Sequence, residues 1–325
     1  MEPPEWIFPC DLNAALDALS VSDAMAVAGG TTVIDLMKMG HAHPRHLVDI
    51  SRLPFSEITL SERTLEIGAT ATNSAVARHE AVCSEFPALS QAILLGASPQ
   101  IRNAATVGGN LMQASRCLYF RSPDWPCNRR VPESGCEALR VPLAVHAILG
   151  TSRSCIATHP SDMAVALLAL DATVRAQGRD GRTGISMADF YLLPMDTPHR
   201  QTALPEGVII TAVEVPRTVA AKNSGYLKLR GRASYEFAAC SVAMAFASED
   251  DVVTQFSVAL GGVGSRPWRN VEAERCVVGR KLSKAAIDAF CDHLLAEAQT
   301  CPETEHKLGL VRGGVHHLTD RLAGQ

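Results

Sequence analysis

Apolar spacing along the first fifty residues alternates between helical and strand periods. Helical spacing after Asp11 predicts a helix capped by that aspartate and running through Leu19, and a short apolar run then predicts a strand at 25–28. A helix ending at Gly40 and a strand at 47–50 complete a small α/β unit. From Leu53 a second unit begins, with strands expected around Ile58 and at 65–67 and helical patterns at 73–79 and 88–95. Between 114 and 157 the periodicity is lost. Pro123, Pro126, Pro132 and Pro142 sit there among several arginines, so the stretch reads as an insertion that needs an internal staple. Regular patterning returns with a helix at 163–170, capped by Ser161 or Asp162, and strands at 172–176 and 208–215. Beyond Pro216 come three strands (224–230, 239–247 and 252–260) and helical stretches at 268–278, 283–298 and 305–322.

Composition narrows the class. Of 325 residues, 47% are hydrophobic and 20% charged, which is globular throughout, and the length allows two or three cores. A formal charge of −4 gives no general attraction to phosphate backbones or anionic membranes, so nucleic acid is not an expected partner. Asp171 interrupts the longest apolar stretch, 163–174, and no membrane span is expected. The N-terminal residues lack the basic and apolar regions of a secretory signal, and the expectation is a cytoplasmic protein. A disulfide framework is not expected from the ten cysteines in so long a chain.

Two glycine-rich words carry the first chemical signal. Ala26, Val27, Ala28, Gly29, Gly30, Thr31, Thr32 and Val33 run from a strand through a double glycine into a helix start, where Thr31 or Thr32 serves as cap. Strand, glycine turn and helix N-terminus make a cradle for a phosphate. The second word holds Thr106, Gly108, Gly109 and Asn110, and its adjacent glycines let consecutive N–H groups converge on an anion. Gly261, Gly262 and Gly264 lead to Arg266-Pro267 without an immediate helix and read as a turn. No Gly-x-Gly-x-x-Gly stands at a strand-to-helix turn, which argues against a Rossmann NAD enzyme.

Cys117, Cys127, Cys136 and Cys155 fall within the irregular insertion, separated by 9, 8 and 18 residues. That spacing alone leaves a metal centre and unrelated buried thiols equally open. The context adds a reason for metal, because a segment with little core gains order from four thiolates on one centre while Arg116, Arg121, Arg129 and Arg130 offset their charge. His146 and His159 lack ligand spacing to another histidine and read as satisfied structural residues; the other six cysteines read as small buried hydrophobes. Tyr226, Lys228 and Arg230 alternate onto one face of a strand. No nucleophile–base pair or paired carboxylates stand out.

The words AGGTTVIDLMK (28–38) and ATVGGNLMQASRC (105–117), followed in order by THPSDMAVALLALDA, GYLKLRGRASYEFA and ALGGVGSRPWR, resemble the FAD-binding subunit of the molybdenum hydroxylases, the xanthine dehydrogenase and aldehyde oxidoreductase family. The resemblance is nearest to the flavin subunit of bacterial three-subunit aldehyde oxidoreductases, and it spans almost the whole chain. It implies an α+β fold: a two-part FAD-binding domain of the vanillyl-alcohol-oxidase/PCMH-like kind (1–52 and 53–217) with an iron–sulfur insertion at 114–157, then a C-terminal antiparallel sheet backed by helices (223–325). It also implies that Asp162 bonds the ribityl hydroxyls, that Lys228 lies at the flavin, and that the four cysteines ligate a 4Fe-4S cluster. The implied partners are a molybdenum-cofactor subunit and a 2Fe-2S subunit, with electrons passing through FAD to a terminal acceptor. Export to the periplasm on a signal-bearing partner is the alternative location. A flavin subunit of xanthine dehydrogenase or hydroxybenzoyl-CoA reductase type, a stand-alone flavin oxidoreductase, and a scaffold with a decayed flavin site remain as other readings.

Overall fold

A computed structural model describes residues 3–324; Met1, Glu2 and Gln325, the outer ends of the first and third expected domains, lie outside the described residues. Three sheets organise the α+β chain. Strands Glu5–Ile7, His46–Asp49 and Ala24–Val27 form a parallel sheet with His46–Asp49 in the centre. Asp11 caps the Leu12–Leu19 helix by accepting the Ala14 amide, as expected, and this helix buries Ala15 and Leu16 against Val48 and Ile209. The Glu5–Ile7 strand was not foreseen, because three residues with exposed Trp6 carry no legible alternation.

The second sheet is antiparallel, in the order Ile58–Leu60, Thr64–Gly68, Ile209–Pro216, Thr173–Gly178 and Gly181–Ser186. Gly181–Ser186 is an edge strand of mostly exposed residues, so it lacks the hydrophobic signal that marked its neighbours. Helices Asn73–Arg78, Glu80–Glu85 and Pro87–Leu95 follow the sheet's first hairpin. The third sheet pairs Ser224–Leu229 with Cys240–Glu249 and the latter with Val252–Gly261. Helices Lys284–Leu294 and His306–Ala323 back it. The helix expected at 268–278 shrinks to Val271–Glu274, since Trp268 instead exchanges backbone hydrogen bonds with Leu260.

The Asp162–Ala169 helix sits at the meeting point of these layers. Every residue from Met163 to Ala169 is buried, and the surrounding core joins Leu65 and Val213 of the second sheet to Ala243 and Ala259 of the third. At about 25 cal/mol per Å² of apolar surface, a helix enclosed on all sides is a main source of cohesion between the two sheets. Its N-terminus is thereby fixed at the edge of a cavity of about 530 Å³. Among the described residues no helix is long and apolar enough to cross a membrane.

Candidate functional site

A cavity of about 530 Å³ lies where the first glycine loop, the second glycine word, the N-terminus of the Asp162–Ala169 helix and the Ser224–Leu229 strand converge. Ala26 and Val27 end the Ala24–Val27 strand, with Ala28 following, and Val33 opens the Val33–Lys38 helix and packs against the small core around Val27 and Leu47. These apolar residues anchor the loop. Gly29 is pressed so closely on the next subdomain that an added Cβ would lie 1.9 Å from the Ala104 carbonyl oxygen, and Gly30 has φ of 69°. Thr31 and Thr32 reach the cavity wall. Among the described residues the amides of Gly29, Gly30, Thr31 and Thr32 have no protein acceptor. Thr32 occupies the N-cap position without making the expected side-chain cap bond. Donors and hydroxyl are thus left for a ligand.

The second word is built differently from its expectation. Thr106 caps a short helix, Val107–Leu111, by accepting the Gly109 amide at 3.2 Å, and the Gly108 amide donates to the Ala69 carbonyl at 2.8 Å. Those two N–H groups therefore do not converge on an anion: the helix cap takes one and Ala69 the other. Gly108 lies off the cavity, where a Cβ would meet Ala69 at 3.3 Å. Gly109 and Asn110 do line it, with Asn110 Oδ1 held by Gln113 and by the Ser161 hydroxyl. Gln113 also lines a second cavity of about 510 Å³.

Ser161, not Asp162, caps the buried helix by accepting the Ala164 amide. Asp162 is thereby free to receive Lys228 Nζ on Oδ2 at 2.7 Å and the Tyr226 hydroxyl on Oδ1 at 2.6 Å. Strand alternation put Tyr226, Lys228 and Arg230 on one face, and Lys228 and Arg230 both reach the Leu95 carbonyl. Burial pushes the Tyr226 phenol well above its ordinary pKa, and the neighbouring Asp162 charge adds to the shift. Asn73 was missed by sequence reasoning. It is 3% exposed, lines the cavity, and its Oδ1 has no partner among the described residues. A buried amide oxygen left bare carries a penalty that a ligand donor removes.

The insertion gathers its four cysteines. Cys117, Cys127 and Cys155 are buried in one small cluster with Phe120 and three alanines, Cys136 packs against it, and Cys127 bridges Cys136 in an isolated antiparallel pair. So the segment does own a core, though a minimal one. Burial holds the Cys117 thiol above its ordinary pKa and pushes Cys136 up to about 11. Arg129 Nη2 lies 3.7 Å from Cys155 Sγ. Among the described residues no three His, Cys, Asp or Glu side chains are drawn close enough to hold one metal ion. Arg116 and Arg121 both reach Asp35 Oδ2, which ties the insertion to the helix after the first glycine loop. His159 departs from the satisfied reading, since its buried Nε2 has no partner among the described residues and burial lowers its pKa to about 3. Of the remaining cysteines only Cys240 and Cys291 are buried; Cys10 and Cys83 are exposed.

Comparison with known proteins gives a consistent picture. Residues 2–218 match the family model described as the FAD binding domain in molybdopterin dehydrogenase, and residues 225–305 match the CO dehydrogenase flavoprotein C-terminal domain. The chain is 44% identical to the aldehyde oxidoreductase FAD-binding subunit PaoB of Escherichia coli (strain K12) over 302 residues, 92% of each chain. It is 25% identical to the glyceraldehyde dehydrogenase medium chain of Sulfolobus acidocaldarius, covering 94% of this chain and 92% of that one. In fold it resembles carbon monoxide dehydrogenase from Hydrogenophaga pseudoflava, with a TM-score of 0.74, 24% identity and coverage of 97% and 96%.

Proposed function

The chain belongs to the FAD-binding family of the molybdopterin dehydrogenases, and from that membership we propose that it is the FAD- and 4Fe-4S-containing electron-transfer subunit of a molybdenum-dependent aldehyde oxidoreductase complex. It receives electrons from a molybdenum-cofactor subunit and a 2Fe-2S subunit and hands them to a terminal acceptor. FAD, when bound, supplies the two-electron chemistry that no side chain here provides. The domain division 1–52, 53–217 and 223–325, with the insertion at 114–157, is part of this reading, and the three separate sheets support it.

The protein's own residues meet the demands of an extended dinucleotide. Free amides at Gly29, Gly30, Thr31 and Thr32 suit a pyrophosphate, because each donates to a charged oxygen without losing a protein bond. Asp162 and Asn73 offer acceptors to hydroxyl or ring N–H groups. Lys228, held by Asp162, keeps a fixed positive charge on the cavity wall with no freedom to swing into solvent. Gly109 and Asn110 form the opposing wall, and Thr106 and Gly108 support it from behind, Thr106 by capping the short helix and Gly108 by bonding Ala69. The observation that carries the reading is the meeting of both glycine words, Asp162 and Lys228 around one cavity.

The insertion suits a cluster better than a single ion. Four soft thiols grouped together favour iron–sulfur or zinc chemistry. A lone tetrahedral ion needs all its sulfurs at about 2.3 Å, whereas a four-iron cluster spreads them over four metal atoms. The four thiols lie in or against one small buried group around Phe120, which supports the cluster. Arg129 beside Cys155 offsets part of the thiolate charge.

Gly109→Leu tests the flavin assignment. The new side chain enters the cavity and crowds Thr106 Oγ1, 3.1 Å from the added Cβ, so the purified protein should lack flavin while keeping its iron. Full flavin occupancy in that variant would overturn it.

A further inference from the structure

Lys307 is fully buried, and its ammonium donates to the His146 carbonyl at 2.7 Å and the Gly262 carbonyl at 2.6 Å. One acceptor belongs to the insertion and the other to the turn after the Val252–Gly261 strand. A buried ammonium is costly unless fully hydrogen-bonded, so packing alone would favour an apolar side chain at this place. What the lysine adds is a fixed position for His146.

His146 is itself 1% exposed. Its Nδ1 accepts the Leu143 amide at 2.8 Å. A neutral imidazole has one acceptor and one donor nitrogen, so the ring proton stands on Nε2. That nitrogen lies 3.5 Å from Cys117 Sγ. Stacking fixes the ring plane, with the Tyr119 centroid 6.0 Å away and the rings inclined by 23°, while the Tyr119 hydroxyl is tied to the Val141 carbonyl at 2.9 Å. Cys117 sulfur thus faces a donor. A thiol accepts such a bond weakly; a thiolate accepts it well.

The geometry points to His146 as a positioning residue that donates its Nε2–H to the ligating sulfur of Cys117 and is held in place by Lys307. This rests on the 4Fe-4S reading above. A hydrogen bond to a cluster sulfur favours the more negative, reduced state and so raises the reduction potential. The last helix therefore tunes a centre that it does not touch.

The test uses the full chain, purified without air, and its His146→Phe variant, which keeps the stacked ring and removes both nitrogens. EPR-monitored titration should give a lower cluster midpoint potential in the variant, with iron content and flavin midpoint unchanged. In the wild type with nitrogen-15 histidine, pulsed EPR should detect one histidine nitrogen and an exchangeable proton coupled to the cluster. Lys307→Met should shift the midpoint in the same direction by less. Iron present but no coupled histidine proton in the wild type would overturn the role of His146, even where the variants lose iron. An unchanged midpoint in fully loaded His146→Phe would do the same. Iron-free wild-type protein made under iron-replete conditions would instead overturn the cluster reading beneath it.

Discussion

Lys228 and Asp162 meet at the cavity wall with Nζ 2.7 Å from Oδ2, and only 1% and 10% of their side chains are exposed. Removing the carboxylate leaves the ammonium with the Leu95 carbonyl alone. Asp162→Ala should destabilise the protein by about 3 kcal/mol, the lower end for a broken buried pair. It should also reduce flavin occupancy. Asp162→Asn, which keeps an acceptor, should lose less stability. Urea unfolding with flavin absorbance checks both, and wild-type stability in Asp162→Ala would show that the pair is not closed.

Gly29 offers a sharper steric case. Its missing Cβ would stand 1.9 Å from a backbone oxygen, Ala104 O, which cannot rotate away. Gly29→Ala should separate the first loop from the Pro99–Ala104 helix, with flavin binding weakened at least tenfold and a lower melting temperature. Flavin titration of the apoprotein measures the first effect directly. Unchanged affinity would mean that the loop is free to shift.

Much of this site was legible in sequence because it is written in local words. The Gly29-Gly30 turn, the four grouped cysteines and the shared face of Tyr226, Lys228 and Arg230 each follow from short-range rules. The Gly108-Gly109 pair misled for one local and one distant reason: Thr106 claims one amide as a cap, and Ala69, far off in sequence, claims the other. What stayed hidden depends on contacts distant in sequence, such as the bare Asn73 oxygen, the hold of Arg116 and Arg121 on Asp35, and Lys307 beneath His146. For Lys307 a signal did exist. It stands on the buried stripe with Val311, Val315, Leu318 and Leu322, where a lysine has no place in a helix that only packs.

Lys307 also gives a pH signature. Burial lowers its pKa from 10.5 to about 8, so between those values the unfolded chain binds more protons than the folded one. Stability from this group is full above pH 10.5 and is lost as pH falls through 8, a swing of about 3 kcal/mol at 1.36 kcal/mol per unit. Unfolding free energy should therefore rise with pH across 8 to 10 more steeply in wild type than in Lys307→Met. Parallel curves would contradict the assignment.

Serine scanning separates the insertion cysteines from the rest. Cys136→Ser should lower iron and sulfide content and loosen the small core around Phe120, whereas Cys10→Ser, at an exposed position, should leave both unchanged. Metal analysis with limited proteolysis between 114 and 157 checks the pair. Equal iron in both variants would remove Cys136 from the ligand set.

Whether one chain carries both centres is decided by the absorption spectrum of the anaerobically purified full chain together with flavin, iron, sulfide and zinc analysis. Non-covalent FAD near one per chain is expected, with iron and acid-labile sulfide near four each from the stoichiometry of a single 4Fe-4S cluster. Zinc in place of iron would contradict the cluster, and a protein that contains no flavin and takes up no added FAD would contradict the flavin site.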